Sequence, residues 1–293
     1  MSSLAKQFPE ITKANEPLAP YTHLRIGGAA EFLVQPRTVD ELKAVLTACK
    51  SSETPVRMLG GGYNLLIRDN PIPGAVIRLT AAPFTFLERD GRILRAGGGA
   101  ALYDLIALAV RNGLGGLETL VGIRGTVGGS VRCNVGDRTA EISETVRRVS
   151  VLTESGDVQV RQREELTFRE HHSDLDEPVI LSIDFELDQD SPEALLKRLR
   201  KAWIQRKASE PLSFQASVRL FRNPPGQLVT ALIDRAGAAR LTVGRAELSE
   251  RNPNYVVAHP GTTAADIIAL TEQVRNRVKE RTGVTLEQEL HVW

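Results

Sequence analysis

The amino-acid sequence predicts a mixed fold, α/β or α+β, built as three consecutive units. Strand-like and helix-like segments interleave along the whole chain, which excludes an all-helical bundle and an all-β sandwich. The 293 residues give room for two or three modest cores rather than one. A composition of 42% hydrophobic and 25% charged residues is that of a globular chain able to fill them.

The first unit spans 1–80. After a polar leader, AEFLVQP (30–36) reads as a strand. TVDELKAVLTACK follows with a capping box from Thr38 to Glu41, placing Leu42, Val45, Leu46 and Cys49 on one helical face. PVRMLGGG (55–62) is a strand running into three glycines, and AVIRL (75–79) is another strand. The second unit, 81–190, opens with the hairpin FTFLERDGRILRAG around an Asp-Gly turn. ALYDLIALAVRNG is a helix closed by Gly113, a glycine-rich segment covers 115–136, and the hairpin VRRVSVLTESGDVQVRQR and the strand VILSIDFEL complete the unit. The third unit, 191–293, begins with a helix capped by Ser191 with Pro192 at its first position. SVRLF alternates as a half-buried strand and the NPPG after it is a turn. Helices over QLVTALIDRAG and AADIIALTEQVRNRVKERTG and a terminal strand VTLEQELHVW finish the chain.

With 37 basic and 36 acidic residues the net charge is +1, so no global field draws nucleic acid or an acidic membrane. Aromatic residues at 5% are too sparse for base-stacking platforms. Cys49 and Cys133 form neither a disulfide framework nor a zinc pattern, and the adjacent His171 and His172 would point to opposite faces of a strand. No metal is expected. The leader lacks the apolar stretch of a signal peptide and no apolar run is long enough to span a bilayer, so the cytoplasm is the expected compartment.

Two runs carry the chemistry. LGGGYNLL (59–66) follows a strand, and GIRGTVGG (122–129) has four glycines and a threonine hydroxyl in eight residues. Each glycine lets backbone N–H groups approach a ligand closely. Neither run has the dinucleotide-fold or P-loop spacing. Singly, each reads as a turn; together, in neighbouring units and without a nearby lysine, they suggest one extended diphosphate-bearing cofactor held by backbone. Arg169, Arg222 and Glu289 are the charged candidates, Glu289 because it sits in an otherwise apolar terminal segment.

THLRIGGAAEFLV (22–34), LGGGYNLLIRD (59–69), GLETLVGIRGTVGGSVRCNVG (116–136), LTFRE (166–170), FRNPPG (221–226), GTTAADIIAL (261–270) and LEQEL (286–290) occur in this order. This combination closely resembles the UDP-N-acetylenolpyruvoylglucosamine reductase family, in its shorter type. The resemblance implies an α+β protein: two subdomains holding FAD in the vanillyl-alcohol-oxidase-like manner, and a C-terminal α+β substrate domain. It implies non-covalent FAD lined by Gly60, Gly61, Gly62, Asn64, Leu65, Gly122, Gly125, Thr126, Gly128 and Gly129. NADPH would reduce the flavin and leave before the UDP-sugar takes the same face. Arg169 and Glu289 would stabilise the enolate, and Arg222 and Asn223 would meet the UDP-sugar of a monomeric enzyme.

Several positions depart from the family pattern. Phe168 stands for a usual tyrosine, His171 and Tyr63 for usual serines, and Arg124 for a usual proline. The family's proton donor is a Ser or Cys two residues before the Phe of FRNP; here Val218 and Arg219 occupy the Gly-Ser pair. Ser217 reaches the donor place only through a two-residue shift, so a β-bulge is expected there and Ser217 is taken as the donor. The alternative is a non-catalytic relative that binds FAD or a UDP-sugar as a sensor or partner, a reading favoured by Arg219.

Overall fold

The computed structural model describes residues 4–137, 140–211 and 215–293. It divides into two compact units that are discontinuous in sequence. The first comprises Met1–Asn15, Glu31–Gly61 and Pro73–Ile204; the second comprises Glu16–Ala30, Gly62–Ile72 and Gln205–Trp293. The boundaries therefore differ from three consecutive intervals. Leu24, Ile26 and Leu66 leave their sequence neighbours because they are buried in one cluster with Val218, Phe221, Leu232 and Ile267.

In the first unit, the expected N-terminal strands form a four-stranded sheet in the order Thr12–Pro17, Ala29–Val34, Ile72–Ile77, Val56–Met58. The polar leader is part of this sheet's layer. It supplies a short helix, Leu4–Gln7, and the edge strand, whose mostly outward residues carry no apolar alternation for sequence reading to detect. The Val39–Ser51 helix buries Leu42, Val45 and Cys49 against this sheet's core with Val34 and Ile77. Its cap differs in one detail from the expected box. Thr38 Oγ1 accepts from the Glu41 amide at 3.1 Å, while the Glu41 carboxylate accepts from the Arg37 amide rather than from Thr38.

A second, five-stranded sheet has the order Val158–Gln162, Val146–Leu152, Val179–Glu186, Ile93–Gly97, Leu87–Asp90. Both expected hairpins are present in it. The Leu102–Arg111 helix packs Leu102, Leu105, Ile106 and Ala109 into its core. Asp184 is buried on the central strand and accepts from Arg95 Nε and Arg148 Nε at 2.8 and 2.7 Å. Burial raises its carboxyl, but the two guanidinium groups outweigh that and hold it below the usual range.

The second unit is a four-stranded antiparallel sheet, Ala216–Arg219, Tyr255–Ala258, Ala246–Leu248, Thr242–Val243, covered by the helices Val229–Arg235 and Ala264–Thr282. Thr263 and Asp266 form a reciprocal capping box on the long helix, and Gly283 ends it in the left-handed conformation. The expected terminal strand shrinks to His291–Val292, which pairs in parallel with Leu65–Leu66. Before it, Leu286 and Leu290 turn into the core, and the chain meets Phe221 through a single bridge at Gln288.

Candidate active site

The two glycine runs meet inside the first unit. A Cβ built on Gly60 would lie 2.7 Å from Thr126 Oγ1, too close for any side chain without displacing the hydroxyl. That hydroxyl caps the Val127–Arg132 helix by accepting from the Gly129 amide at 3.3 Å. Glycine at 60 is thus the condition for the two loops to touch. Gly62 has φ +65° and would drive a Cβ to 2.5 Å from the Tyr21 carbonyl oxygen, so glycine is required there as well.

Among the described residues, the amides of Gly60 and Gly61 donate to no group of the chain. In the second run, the Val127 amide donates to Ala100 O, Gly128 to Gly98 O and Gly129 to Thr126 Oγ1. The amides of Gly122, Gly125 and Thr126 in that run also donate to no group among the described residues, so both runs offer backbone donors. A diphosphate-bearing group fits this arrangement of free backbone donors on two glycine-rich loops. Asn64 spends its side-chain amide on the carbonyl of Glu289 at 3.1 Å, and Leu65 is buried in the short parallel pair with His291. Tyr63 is 38% exposed with its ring 5.1 Å from that of His23.

Arg169 lies in the first unit on a two-residue strand, Phe168–Arg169, paired with His172–Ser173; its side chain is exposed. The hairpin is held by a residue that sequence reading missed. Asn134, fully buried, donates to the Arg169 carbonyl at 2.9 Å and to Glu141 at 2.7 Å, and accepts from the Ser143 amide. An asparagine carries no local signal of such long-range bonds.

The second unit carries the remaining candidates. Arg222 Nη1 pairs with Glu287 at 2.9 Å, and Asn223 Oδ1 accepts from the Val229 amide at the start of its helix. Asn254, also missed, clamps Phe221 by accepting from its amide at 3.0 Å and donating to its carbonyl at 2.8 Å. Glu289 donates its amide to the Leu220 carbonyl, which sets its side chain beside the Ala216–Arg219 strand. There Arg219 Nε stands 3.0 Å from Glu289 Oε2, with side chains 24% and 11% exposed.

The bulge expected at Ser217 is absent. Ala216, Ser217, Val218 and Arg219 pair one-to-one with Ala258, Val257, Val256 and Tyr255. Unbroken pairing leaves no extra residue to shift the register. Val218 and Val256 face the core, so Ser217, Arg219 and Tyr255 share the opposite face. Ser217 sits one strand period before Arg219, about 7 Å along the chain, and does not take its place. Burial pushes the Tyr255 phenol well above its ordinary value, keeping it neutral beside this ion pair. Burial, then the Arg222 charge, lowers His291.

Comparison with known proteins identifies the frame of these residues. A family model described as an FAD binding domain matches 30–161, and one described as the C-terminal domain of UDP-N-acetylenolpyruvoylglucosamine reductase matches 210–293. The reductase of that name from Rhodopirellula baltica is 34% identical, with 99% of this chain and 97% of the relative covered. The chain belongs to the UDP-N-acetylenolpyruvoylglucosamine reductase family. The Geobacter sulfurreducens member is 37% identical over 95% of this chain and 93% of its own. The crystal structure of the Thermus caldophilus reductase superposes with a TM-score of 0.81 at 35% identity, covering 94% of this chain and 97% of that one. The fold is accordingly the family's α+β fold with an FAD-binding portion.

Proposed function

We propose that this protein is an FAD-containing, NADPH-dependent reductase that converts UDP-N-acetylglucosamine enolpyruvate to UDP-N-acetylmuramate for peptidoglycan synthesis. The observation that carries the reading is the approach of Gly60 to the Thr126 hydroxyl, so close that no side chain fits at position 60, which brings the two glycine loops together within a chain of this family. Gly60, Gly61 and Gly62 with Gly122, Gly125, Thr126, Gly128 and Gly129 hold FAD, and Asn64 and Leu65 brace the first loop. Bound FAD supplies the hydride relay from NADPH to the β-carbon of the enolpyruvyl group.

The rest of the chemistry falls to the chain. Negative charge builds on the carboxylate-bearing carbon of the substrate, and donors or cations must be waiting for it. Arg169 supplies one. Glu289 alone would repel that charge, and its ion pair with Arg219 offsets the repulsion. Ser217, one strand period from Arg219 on the same face, delivers the proton to the α-carbon from its own position rather than from the place of Arg219, and Arg222 and Asn223 meet the UDP-sugar. The enzyme works as a cytoplasmic monomer, without nucleic acid or membrane. The net charge is +1, and among the described residues no helix is long and apolar enough to cross a membrane.

The test is twofold. The purified protein carries FAD that is released on denaturation, and UDP-N-acetylglucosamine raises the melting temperature. Arg222→Ala removes most of that rise. A colourless protein that cannot be reconstituted with FAD contradicts the reading, and an unchanged shift in the variant moves the nucleotide-sugar elsewhere.

A further inference from the structure

Arg219 stands where the family places a hydroxyl, and its surroundings indicate what it does there. Its Nε stands 3.0 Å from Glu289 Oε2, an ion-pair approach without hydrogen-bond geometry. Among the described residues no other hydrogen bond or ion pair is made to its guanidinium. The two outer nitrogens form a planar fork on a side chain that is 24% exposed, so they are reachable yet partly shielded from water. The fork is pre-aimed. One edge faces the carboxylate of Glu289, whose backbone amide is held by the Leu220 carbonyl, and the strand beneath is fixed by four consecutive pairs with Ala258 to Tyr255. A fork on so fixed a strand loses less freedom on binding, and a guanidinium edge matches a two-oxygen planar anion. With Glu289 beside it the pair carries no net charge, so the fork recognises an anion through its N–H donors and suits a singly charged carboxylate better than a dianionic phosphate. Arg222, the neighbouring cation on this segment, is already paired with Glu287.

We propose that Arg219 binds the carboxylate of the enolpyruvyl ether in the substrate and of the lactyl ether in the product, making it a specificity-determining residue. The inference rests on the reductase reading above. Because the same carboxylate accumulates charge during hydride addition, the fork gains strength as the reaction proceeds.

The experiment is calorimetric binding of two ligands to the FAD-loaded protein. UDP-N-acetylmuramate carries the carboxylate, and UDP-N-acetylglucosamine lacks it. Unaltered protein binds the first more tightly. Arg219→Gln weakens UDP-N-acetylmuramate by at least about tenfold and leaves UDP-N-acetylglucosamine unchanged, since a charge-assisted bidentate contact is lost. Arg219→Lys retains part of the difference. The second ligand is the control for folding: equal weakening of both, or no weakening of either, overturns the assignment of Arg219 while leaving the reductase reading in place. Binding of neither ligand by unaltered protein overturns the reductase reading and this inference with it.

Discussion

Replacing Gly60 by alanine places a methyl 2.7 Å from Thr126 Oγ1, while the Cβ and Cγ2 atoms of Thr126 remain at 3.8 Å, an ordinary contact. Relief therefore comes from moving the hydroxyl alone. Moving it breaks the 3.3 Å bond from the Gly129 amide that caps the Val127–Arg132 helix. Loss of a threonine cap costs about 1 kcal/mol. Gly60→Ala and Thr126→Ala should each destabilise by about that amount, lowering the melting temperature by about 2–4 °C. The double variant should also cost about 1 kcal/mol, not 2, because the second change finds the hydroxyl already gone. In a Thr126→Ser background the hydroxyl persists, and Gly60→Ala should again cost its full amount. Thermal and denaturant unfolding of the six proteins, with and without FAD, measures these effects. Additive losses in the Gly60→Ala/Thr126→Ala protein would refute the claim that the loops are joined through the hydroxyl.

Ser217→Ala should slow turnover of the enolpyruvyl substrate while leaving reduction of the flavin by NADPH intact; equal slowing of both half-reactions would remove the hydroxyl from proton delivery. Asp184→Asn should destabilise the first unit by about 1–3 kcal/mol at neutral pH. Since the folded carboxyl lies below its ordinary value of about 3.9, that contribution is full above this value and is lost as pH falls through the folded one. The variant's deficit should therefore shrink in acid, and a constant deficit would contradict the ion-pair assignment. For His291 the folded value also lies below the ordinary one, so stability falls as the pH drops below about 6.5. His291→Gln should flatten that limb of the stability profile, and an unchanged limb would assign it to another group.

Local chemistry made much of the fold legible. Thr38 caps its helix, Gly113 and Gly283 close theirs, and the hairpin turning at Gly91 lies where its alternation placed it. Legibility ends where pairing is decided by backbone rather than by side chains. The Thr12–Pro17 strand is polar because it lies at a sheet edge, and the Val127–Arg132 helix hides among glycines because its cap and neighbours stabilise it. The site divides in the same way. The glycine loops and Glu289 stood out by composition. Asn134 and Asn254 did not, because their roles consist of hydrogen bonds to carbonyls and amides 33 to 35 residues away. The bulge expected at Ser217 shows the opposite error. Matching it to a family position demanded a bulge, whereas each residue from Ala216 to Arg219 has its own partner, and the pairing left Arg219 in place.

The most direct test of the account is a two-step anaerobic experiment on the FAD-loaded protein. NADPH is added until the flavin's visible absorbance is bleached, excess nicotinamide is removed, and UDP-N-acetylglucosamine enolpyruvate is then supplied. The account predicts that the absorbance returns and that one UDP-N-acetylmuramate forms for each flavin restored. A flavin that NADPH bleaches but the enolpyruvyl substrate never restores would contradict it, and would show that a chain with arginine at 219 binds the cofactor without completing the reduction.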